Sequence, residues 1–165
     1  MANWFSNIVN EIAKDQENKP VTCESCKAAS FYETKFWKVS LAADQAYLGR
    51  CYVTLKRHCN DLKDLTDEEM LDFRDLVKTL ENAIRKTFNA TMFNWCCLMN
   101  DAYQEKNPEP HVHWHMRPRY ENKINFDGEL FEDSEFGHHY SRERRQNVSE
   151  DLKNKIIGEI KKNLS

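Results

Sequence analysis

The clearest pattern along the chain is a stripe of apolar residues at helical spacing between residues 67 and 88. Apolar side chains recur there every three or four positions, so they share one face of a helix. They are Met70, Phe73, Val77, Leu80, Ile84 and Phe88. Thr66 and Glu69 have the spacing of a capping box, in which each side chain accepts from the backbone N–H of the other residue. The pattern predicts a helix over 67–88 that packs its apolar face against a sheet.

Both ends of the chain show the same periodicity. Residues 3–14 predict a short amphipathic helix, with apolar side chains at Trp4, Phe5, Ile8, Val9 and Ile12. Ser149 is placed to cap a closing helix. The inward positions of that closing helix are Leu152, Ile156, Ile157, Ile160 and Leu164.

Between these helices lie short apolar runs that are typical of strands. They occupy residues 31–41, 50–56 and 91–99, and the polar loop NDAYQEKNPEP follows the third. Residues 121–148 are rich in charge and are predicted to be irregular.

The order of these elements predicts the fold class. Strands, a long helix, more strands and a closing helix indicate an α+β fold with a mainly antiparallel sheet. The chain has no repeat and no low-complexity linker, which predicts a single domain over 1–165. Its core covers about 23–120, and 121–165 forms a C-terminal extension with a helix.

Residues 111–120 read HVHWHMRPRY and place a histidine at every second position. Strict alternation is a strand pattern, because successive side chains of a strand point to opposite faces. Val112, Trp114 and Met116 then face the core, and the histidines form a row on the other face, roughly 7 Å apart. Pro118 is expected to end the strand, because proline cannot donate to a central ladder.

Composition narrows the possible functions. The net charge of −3 gives no global positive field, so we do not expect the chain to bind extended nucleic acid. No apolar run approaches the length of a membrane span. The N-terminus lacks the basic region and the long apolar core of a secretory signal. We therefore expect a cytoplasmic protein that does not enter a membrane.

The six cysteines do not resemble a disulfide framework. Cys51, Cys96 and Cys97 lie in apolar runs and are expected to be buried. Cys23 and Cys26 differ, because they form C-x2-C. In a reducing compartment that spacing suggests metal or redox chemistry.

The row of histidines alone leaves three interpretations open. The imidazoles could have no chemical role, could bind a metal ion together with other ligands, or could supply a nucleophile and phosphate contacts. One ion bound by all three is disfavoured, because the outer two lie far apart on a flat strand.

His-x-His-x-His followed by two further residues resembles the signature of the histidine triad (HIT) superfamily. The segments YLGRCYVTLKRHCNDLKDLTDEE and LMNDAYQEKNPEPHVHWHMRPRY are similar to its strands, helix start and connecting loop. The resemblance covers roughly residues 23–120, and its segments occur in the family's order.

The resemblance implies a role for each histidine of the motif. His113 would attack an α-phosphate and form a covalent nucleotidyl-histidine. His115 would hydrogen-bond the phosphate and help the leaving group. The backbone carbonyl of His111 would accept from the ring N–H of His113 and fix its tautomer. A histidine at the third position of the motif goes mostly with hydrolases, which favours hydrolysis over nucleotidyl transfer.

The resemblance also implies substrate contacts. Asn100 and Asn107 fall on positions that contact substrate and phosphate. Asp44 is the candidate for the ribose, although it lies two residues from the family position. The loop before the motif has no glycine, Pro108 replaces a common Ser or Thr donor, and Arg50 stands where several members carry histidine.

Zinc-binding members of the superfamily imply a further site. Cys23, Cys26, His58 and His111 match their ligands in type and order. Two thiolates and two imidazoles make a closed tetrahedral structural site, so a structural zinc ion is the expected cofactor.

The function expected from the resemblance is hydrolysis of a phosphoanhydride or phosphoramidate at the α-phosphate. Dinucleoside polyphosphates and nucleoside phosphoramidates are the implied substrate classes, and the family implies a homodimer. The alternatives are a nucleotidyltransferase and a nucleotide-binding regulatory module with weak or no catalysis.

Overall fold

A five-stranded antiparallel sheet forms the centre of the protein. The computed structural model describes residues 29–141 and 143–164. The strands of the sheet are β1 (Tyr32–Glu33), β2 (Trp37–Leu41), β3 (Cys51–Leu55), β4 (Met92–Cys97) and β5 (His113–Arg119). Their order is β1-β2-β3-β5-β4, and every neighbouring pair is antiparallel. The predicted α+β architecture is confirmed.

The long helix α1 (Asp67–Phe88) has the predicted bounds. The capping box at its start is formed, since Thr66 Oγ1 accepts from Glu69 N at 3.3 Å and the Glu69 carboxylate accepts from Thr66 N at 2.8 Å. The helix ends at Asn89, whose φ of 60° lies in the left-handed region. Sequence-local capping therefore fixes both ends of this element.

Helix α1 covers one face of the sheet. The indole N–H of Trp37 donates to the carbonyl of Glu69 at 2.9 Å. The ring of Phe73 stacks on Trp114, with centroids 4.7 Å apart, and meets Trp95 edge-on at 5.6 Å. The core thus lies between α1 and this face, and the other face of the sheet carries the polar alternating positions.

The predicted strand over 31–41 is wrong in one respect, because a turn divides it into β1 and β2. The carboxylate of Asp72 on α1 accepts from Thr34 Oγ1 at 2.7 Å and from Phe36 N at 2.9 Å. A side chain distant in sequence therefore stabilises the turn, which the local apolar pattern does not reveal.

The expectation that Pro118 ends the histidine strand is also wrong. Strand β5 continues to Arg119, and Pro118 pairs with Phe93 of β4. The pairing of β5 with β3 ends at Met116, so the last residues of β5 have a ladder on one side only. A residue without an N–H is tolerated in such an edge-like position.

The C-terminal extension is more regular than predicted. Strands β6 (Ile124–Phe126) and β7 (Glu129–Phe131) form a hairpin. Its turn residues Asp127 and Gly128 have φ of 53° and 84°. Asp-Gly between two short apolar runs is a known hairpin signal, which the charge-rich composition of the segment obscured.

The closing helix α2 (Glu150–Lys161) starts at the predicted cap, and Ser149 Oγ accepts from Leu152 N at 3.2 Å. Leu152, Ile156 and Ile160 are buried in the core, as predicted. Ile157 is partly buried, and Leu164 packs against the core beyond the end of the helix.

Two 3₁₀ helices, Leu62–Asp64 and Asn100–Gln104, lie in loops. No helix among the described residues has the length and apolar character needed to cross a membrane. The predicted helix over 3–14 lies outside the described residues.

Candidate active site

The strand register brings His113 and His115 onto the sheet face opposite α1. His115 pairs with Tyr52 of β3 and with Cys96 of β4. The Tyr52 ring lies edge-on to both imidazoles, with centroids 5.0 Å from His115 and 6.2 Å from His113. Both histidines are partly exposed, so this face presents two imidazoles beside a tyrosine to solvent.

The hydrogen bonds of the two rings fix one arrangement of protons. His113 Nδ1 lies 2.8 Å from the carbonyl of His111, which only accepts, so Nδ1 carries the proton. In the neutral ring Nε2 of His113 then has a lone pair. His115 Nε2 lies 3.2 Å from it and must therefore be the donor. His113 Nε2 therefore carries a lone pair on the face of the sheet opposite α1, and a nucleophile needs such a lone pair.

The environment of His115 keeps its ring neutral. Burial is the largest cause that lowers its pKa from 6.5 to about 4, and electrostatic interaction with His113 and with the guanidiniums of Arg117 and Arg50 adds to it. The backbone of Leu98 acts in the opposite direction. With its proton on Nε2, His115 has a lone pair on Nδ1, which is buried and has no hydrogen-bond partner within residues 29–141 and 143–164. Near pH 7 His115 is therefore a hydrogen-bond donor rather than a cation.

His111 does not continue the row of imidazoles, which corrects the prediction of three equivalent side chains. It precedes β5 and is 3% exposed. Its Nε2 lies 2.9 Å from the carbonyl of Leu55, and its ring meets the ring of His58 at 4.8 Å. The prediction also placed neighbouring rings roughly 7 Å apart, whereas the centroids of His113 and His115 lie 4.9 Å apart. The motif thus separates into a pair of adjacent imidazoles, His113 and His115, and a third histidine that contacts His58 instead.

Two of the four predicted zinc ligands lie side by side. The rings of His58 and His111 are in contact, and the bond of His111 to a backbone carbonyl is the usual support of a metal-ligating histidine. Cys23 and Cys26 lie outside the described residues. Within residues 29–141 and 143–164, no group of three potential ligands could hold a metal. A zinc site made by these four residues therefore stays a prediction, of which the structure shows the two histidines in contact.

Asp44 lies in the loop between β2 and β3, where its carboxylate already has several partners. Its Oδ1 accepts from Ala46 N and Gln146 N, each at 3.0 Å. Its Oδ2 forms an ion pair with Arg50 at 2.5 Å and lies 3.9 Å from Arg145. The contact with a ribose stays a prediction, and in this arrangement Asp44 holds Arg50 in place.

Asn100 and Asn107 lie in the loop that joins β4 to β5. Asn100 begins the 3₁₀ helix Asn100–Gln104, and both side chains are exposed. Their predicted contacts with substrate and phosphate stay predictions, because the structure places them on the loop before His111 without bringing them into the cluster of histidines.

Several residues of this face were not predicted. The pairing of β3 with β5, which the sequence does not reveal, is what places Tyr52 beside His115 on this face. Cys96 was expected in the core, but its Sγ accepts from Arg117 Nη1 at 3.5 Å and lies 3.6 Å from Tyr140 Oη. Arg117 could have been found, because the alternation that aligns His113 with His115 also places Arg117 on the same face.

The C-terminal extension reaches this face through Tyr140. The guanidinium of Arg117 lies 4.2 Å from the centroid of the Tyr140 ring. Next along β5, Arg119 is buried and paired with Asp133 through two hydrogen bonds of 2.6 and 3.1 Å. The extension therefore supplies part of the wall beside His115.

Comparison with known proteins gives results that agree with this geometry. A family model for the HIT domain matches residues 25–122. The chain is 32% identical over 89 residues to the asymmetrical bis(5'-nucleosyl)-tetraphosphatase of Schizosaccharomyces pombe. That match covers 54% of this chain and 48% of the relative, so the chain spans about half the length of the curated relative.

Solved structures show the same fold. A hypothetical histidine triad nucleotide-binding protein from Sulfolobus tokodaii has a TM-score of 0.60 and 16% identity, over 82% of each chain. A Zn-bound histidine triad family protein from Mycobacterium smegmatis has a TM-score of 0.57 and 20% identity, over 86% of this chain and 94% of that one. At these identities the likeness establishes the fold.

Proposed function

The chain belongs to the HIT domain family, and we propose that it is a nucleotide hydrolase in which His113 attacks the α-phosphate of the substrate. The observation that carries this proposal is the hydrogen bond from His113 Nδ1 to the carbonyl of His111. It holds the ring in the tautomer whose Nε2 is a nucleophile. The similarity to a dinucleoside tetraphosphatase supports the hydrolase class over the other activities of nucleotide-binding proteins.

In the first step, the Nε2 lone pair of His113 forms a bond to the α-phosphorus. The bond from phosphorus to the leaving group breaks, and its electron pair departs with that group. His115 Nε2–H, which donates to His113 in the free protein, turns to a phosphate oxygen and stabilises the developing charge. The proton stays on His113 Nδ1, which donates it in a hydrogen bond to the carbonyl of His111, so the ring carries a positive charge in the intermediate.

In the second step, water attacks the same phosphorus on the nucleotidyl-histidine. The nitrogen–phosphorus bond breaks and returns its electron pair to Nε2 of His113. A mononucleotide leaves, and the proton released by water passes to bulk solvent, so the neutral pair is restored. The nucleophile divides hydrolysis into two phosphoryl-transfer steps. In such steps, hydrogen-bond donors that stabilise the phosphate charge contribute more to the rate than a strong base does.

Hydrolysis of a dinucleoside tetraphosphate in ¹⁸O-labelled water should place one ¹⁸O atom in the mononucleotide product. Water enters at the α-phosphorus under this mechanism, so the nucleoside triphosphate should remain unlabelled. Chromatography with mass spectrometry of both products measures this. Label in the triphosphate would contradict attack at the α-phosphorus. A product in which the nucleotidyl group is joined to a second, added nucleotide would indicate a transferase. Binding of the dinucleoside tetraphosphate without turnover would indicate a regulatory module.

We also propose that Cys23, Cys26, His58 and His111 hold a structural zinc ion. When bound, zinc would link the N-terminal segment to the residue whose carbonyl orients His113. The adjacent rings of His58 and His111 support this site.

Cys23→Ser should abolish zinc binding and lower the melting temperature by several degrees, because metal binding contributes to folding. Metal analysis of the purified protein should give about one zinc per wild-type chain and almost none in the variant. Cys97→Ser is the matched control, since it also removes a thiol but should leave the zinc content unchanged. Full zinc occupancy in Cys23→Ser would refute the assignment.

Two further properties are proposed on the basis of family resemblance. The first is a homodimer, for which strand β4 at the edge of the sheet offers a pairing surface. Light scattering in solution tests it, and the mass of a single chain would exclude it. The second is a cytoplasmic location, which fractionation of cells producing the full-length protein tests.

A further inference from the structure

Arg117 is a buried cation without a carboxylate partner among the described residues. It is 8% exposed and lies two residues after His115 on the same face of β5. Its contacts are the thiol of Cys96 and the ring of Tyr140, both of them uncharged. By contrast, the more deeply buried Arg119, which is 1% exposed, has a bidentate pair with Asp133. A buried charge is costly unless an opposite charge compensates it, so Arg117 is suited to bind an anion.

A second guanidinium lies at the same end of the two strands. Cys51 pairs with Met116, so the preceding Arg50 and the following Arg117 are adjacent in register. Arg50 Nη1 is paired with Asp44, but its Nε is buried and has no hydrogen-bond partner among the residues that the structure describes. Of these two arginines, only Arg50 is paired with a carboxylate within the described part of the chain, and its Nε–H donor is unused there.

Both guanidiniums are close to the reacting groups. The charges of Arg117 and Arg50 both contribute to lowering the pKa of His115. Arg117 follows His115 by roughly 7 Å along the strand, a distance that an arginine side chain covers. The guanidinium of Arg50 lies 5.8 Å from the ring of Tyr52, which itself contacts both catalytic imidazoles.

We propose that Arg117, together with the Nε–H of Arg50, forms an anion subsite that binds a substrate phosphate next to the one attacked by His113. The inference rests on the proposed function and names its substrate class. The substrate is a phosphoanhydride whose leaving group carries phosphate, rather than a phosphoramidate whose leaving group is an uncharged amine. The planar fork of a guanidinium matches phosphate oxygens in geometry and charge.

Tyr140 has a positioning role in this subsite. Its ring lies against the guanidinium of Arg117, and its hydroxyl lies 3.6 Å from the thiol that Arg117 contacts. The C-terminal extension thereby orients the arginine before the substrate arrives, which reduces the entropy lost on binding.

The test compares two substrates that share the same nucleoside 5'-phosphoryl group, a dinucleoside tetraphosphate and a nucleoside phosphoramidate. Arg117→Met should lower kcat/KM for the tetraphosphate by about 10- to 100-fold, the range expected for charge-assisted hydrogen bonds. It should change kcat/KM for the phosphoramidate by less than about threefold, because that leaving group makes no contact with the subsite. For the tetraphosphate, the kcat/KM of Arg117→Lys should lie between those of Arg117→Met and the wild type, since lysine keeps the positive charge but lacks the planar fork of the guanidinium.

Arg85→Met is the matched control. Arg85 also lies over an aromatic ring, at 4.9 Å from the centroid of Phe93, but it is exposed and belongs to α1 on the opposite side of the sheet. It should leave both kcat/KM values unchanged. An equal fall for both substrates in Arg117→Met would show a general structural role and overturn the subsite, as would no fall for either.

Binding of pyrophosphate separates this inference from the proposed function. Calorimetry should show a Kd for pyrophosphate that is about tenfold higher in Arg117→Met than in the wild type. This difference does not depend on turnover, so it decides the subsite even when the wild type hydrolyses neither substrate and the proposed function fails. Equal Kd values, at matched melting temperatures, would overturn the subsite.

Discussion

His113→Ala should lower kcat for the best nucleotide substrate by at least about 10³-fold, which corresponds to roughly 4 kcal/mol of transition-state stabilisation. The loss should be this large because the variant lacks the atom that forms the covalent bond, and His115 cannot replace it. The proton of His115 is on the nitrogen that faces His113, and its other nitrogen is buried. Initial rates from product chromatography measure the effect.

His138→Ala serves as the control for this experiment, because it also removes an imidazole. The side chain of His138 is exposed and lies elsewhere on the chain. His138→Ala should retain full activity. His113→Ala should also bind the product mononucleotide with a Kd within about threefold of the wild type, since the phosphate contact of His115 remains. Turnover by His113→Ala at a rate similar to that of the wild type would exclude the covalent mechanism.

His113→Gly tests the same step by chemical rescue with added imidazole. Free imidazole in the buffer should restore part of the activity, because the vacated space keeps the His111 carbonyl and the His115 N–H that orient the ring. The restored rate should increase with imidazole concentration. A variant that folds and binds nucleotide but gains nothing from imidazole would argue that His113 acts on structure rather than as the nucleophile.

Sequence predicted the elements whose determinants are local. The bounds of α1 follow from its capping box and apolar stripe, and both lie within the helix. The pairing of His113 with His115 follows from strand alternation. The different position of His111 does not, because it depends on His58 and Leu55 from a separate strand and loop. Alternation alone places the three histidines in one row; the family resemblance gave His111 a separate role beside His58, and the tertiary contacts show the two rings together.

The same distinction applies to the two arginines of β5. Alternation places Arg117 and Arg119 on one face, and nothing in the sequence tells them apart. Arg119 finds its partner Asp133 only because the hairpin β6–β7 returns the chain to the sheet. Arg117 receives Tyr140 instead of a carboxylate. The fold thus determines which arginine has a carboxylate partner. This difference distinguishes Arg119, which has a structural role, from Arg117, which is a candidate for ligand binding.

Arg119→Met should destabilise the protein by about 3 kcal/mol, because it leaves the Asp133 carboxylate buried without its partner. The two side chains are 2% and 1% exposed. Arg119 also donates to Asn94 Oδ1 at 3.0 Å and to the carbonyls of Glu135 and His138 at 2.7 and 3.1 Å. The free energy of unfolding from urea titration measures the loss.

Lys155→Met is the matched control, since it breaks an ion pair of the same length with Asp127 on the surface. Both partners are well exposed there, so the loss should be about 0.5 kcal/mol or less. The contrast tests whether burial, rather than the presence of an ion pair, makes Arg119 important. Equal losses in the two variants would contradict that argument.

Arg119→Met has a second expected effect, on the candidate site. Arg119 ties residues 133–138 to the sheet, and Tyr140 lies two residues after that segment. Loosening it should weaken the support of Arg117 by Tyr140. At a temperature where the variant is still folded, kcat/KM for a dinucleoside tetraphosphate should therefore fall more than kcat/KM for a nucleoside phosphoramidate. If both values stay at the wild-type level while the stability drops, the extension stabilises the fold without positioning the subsite.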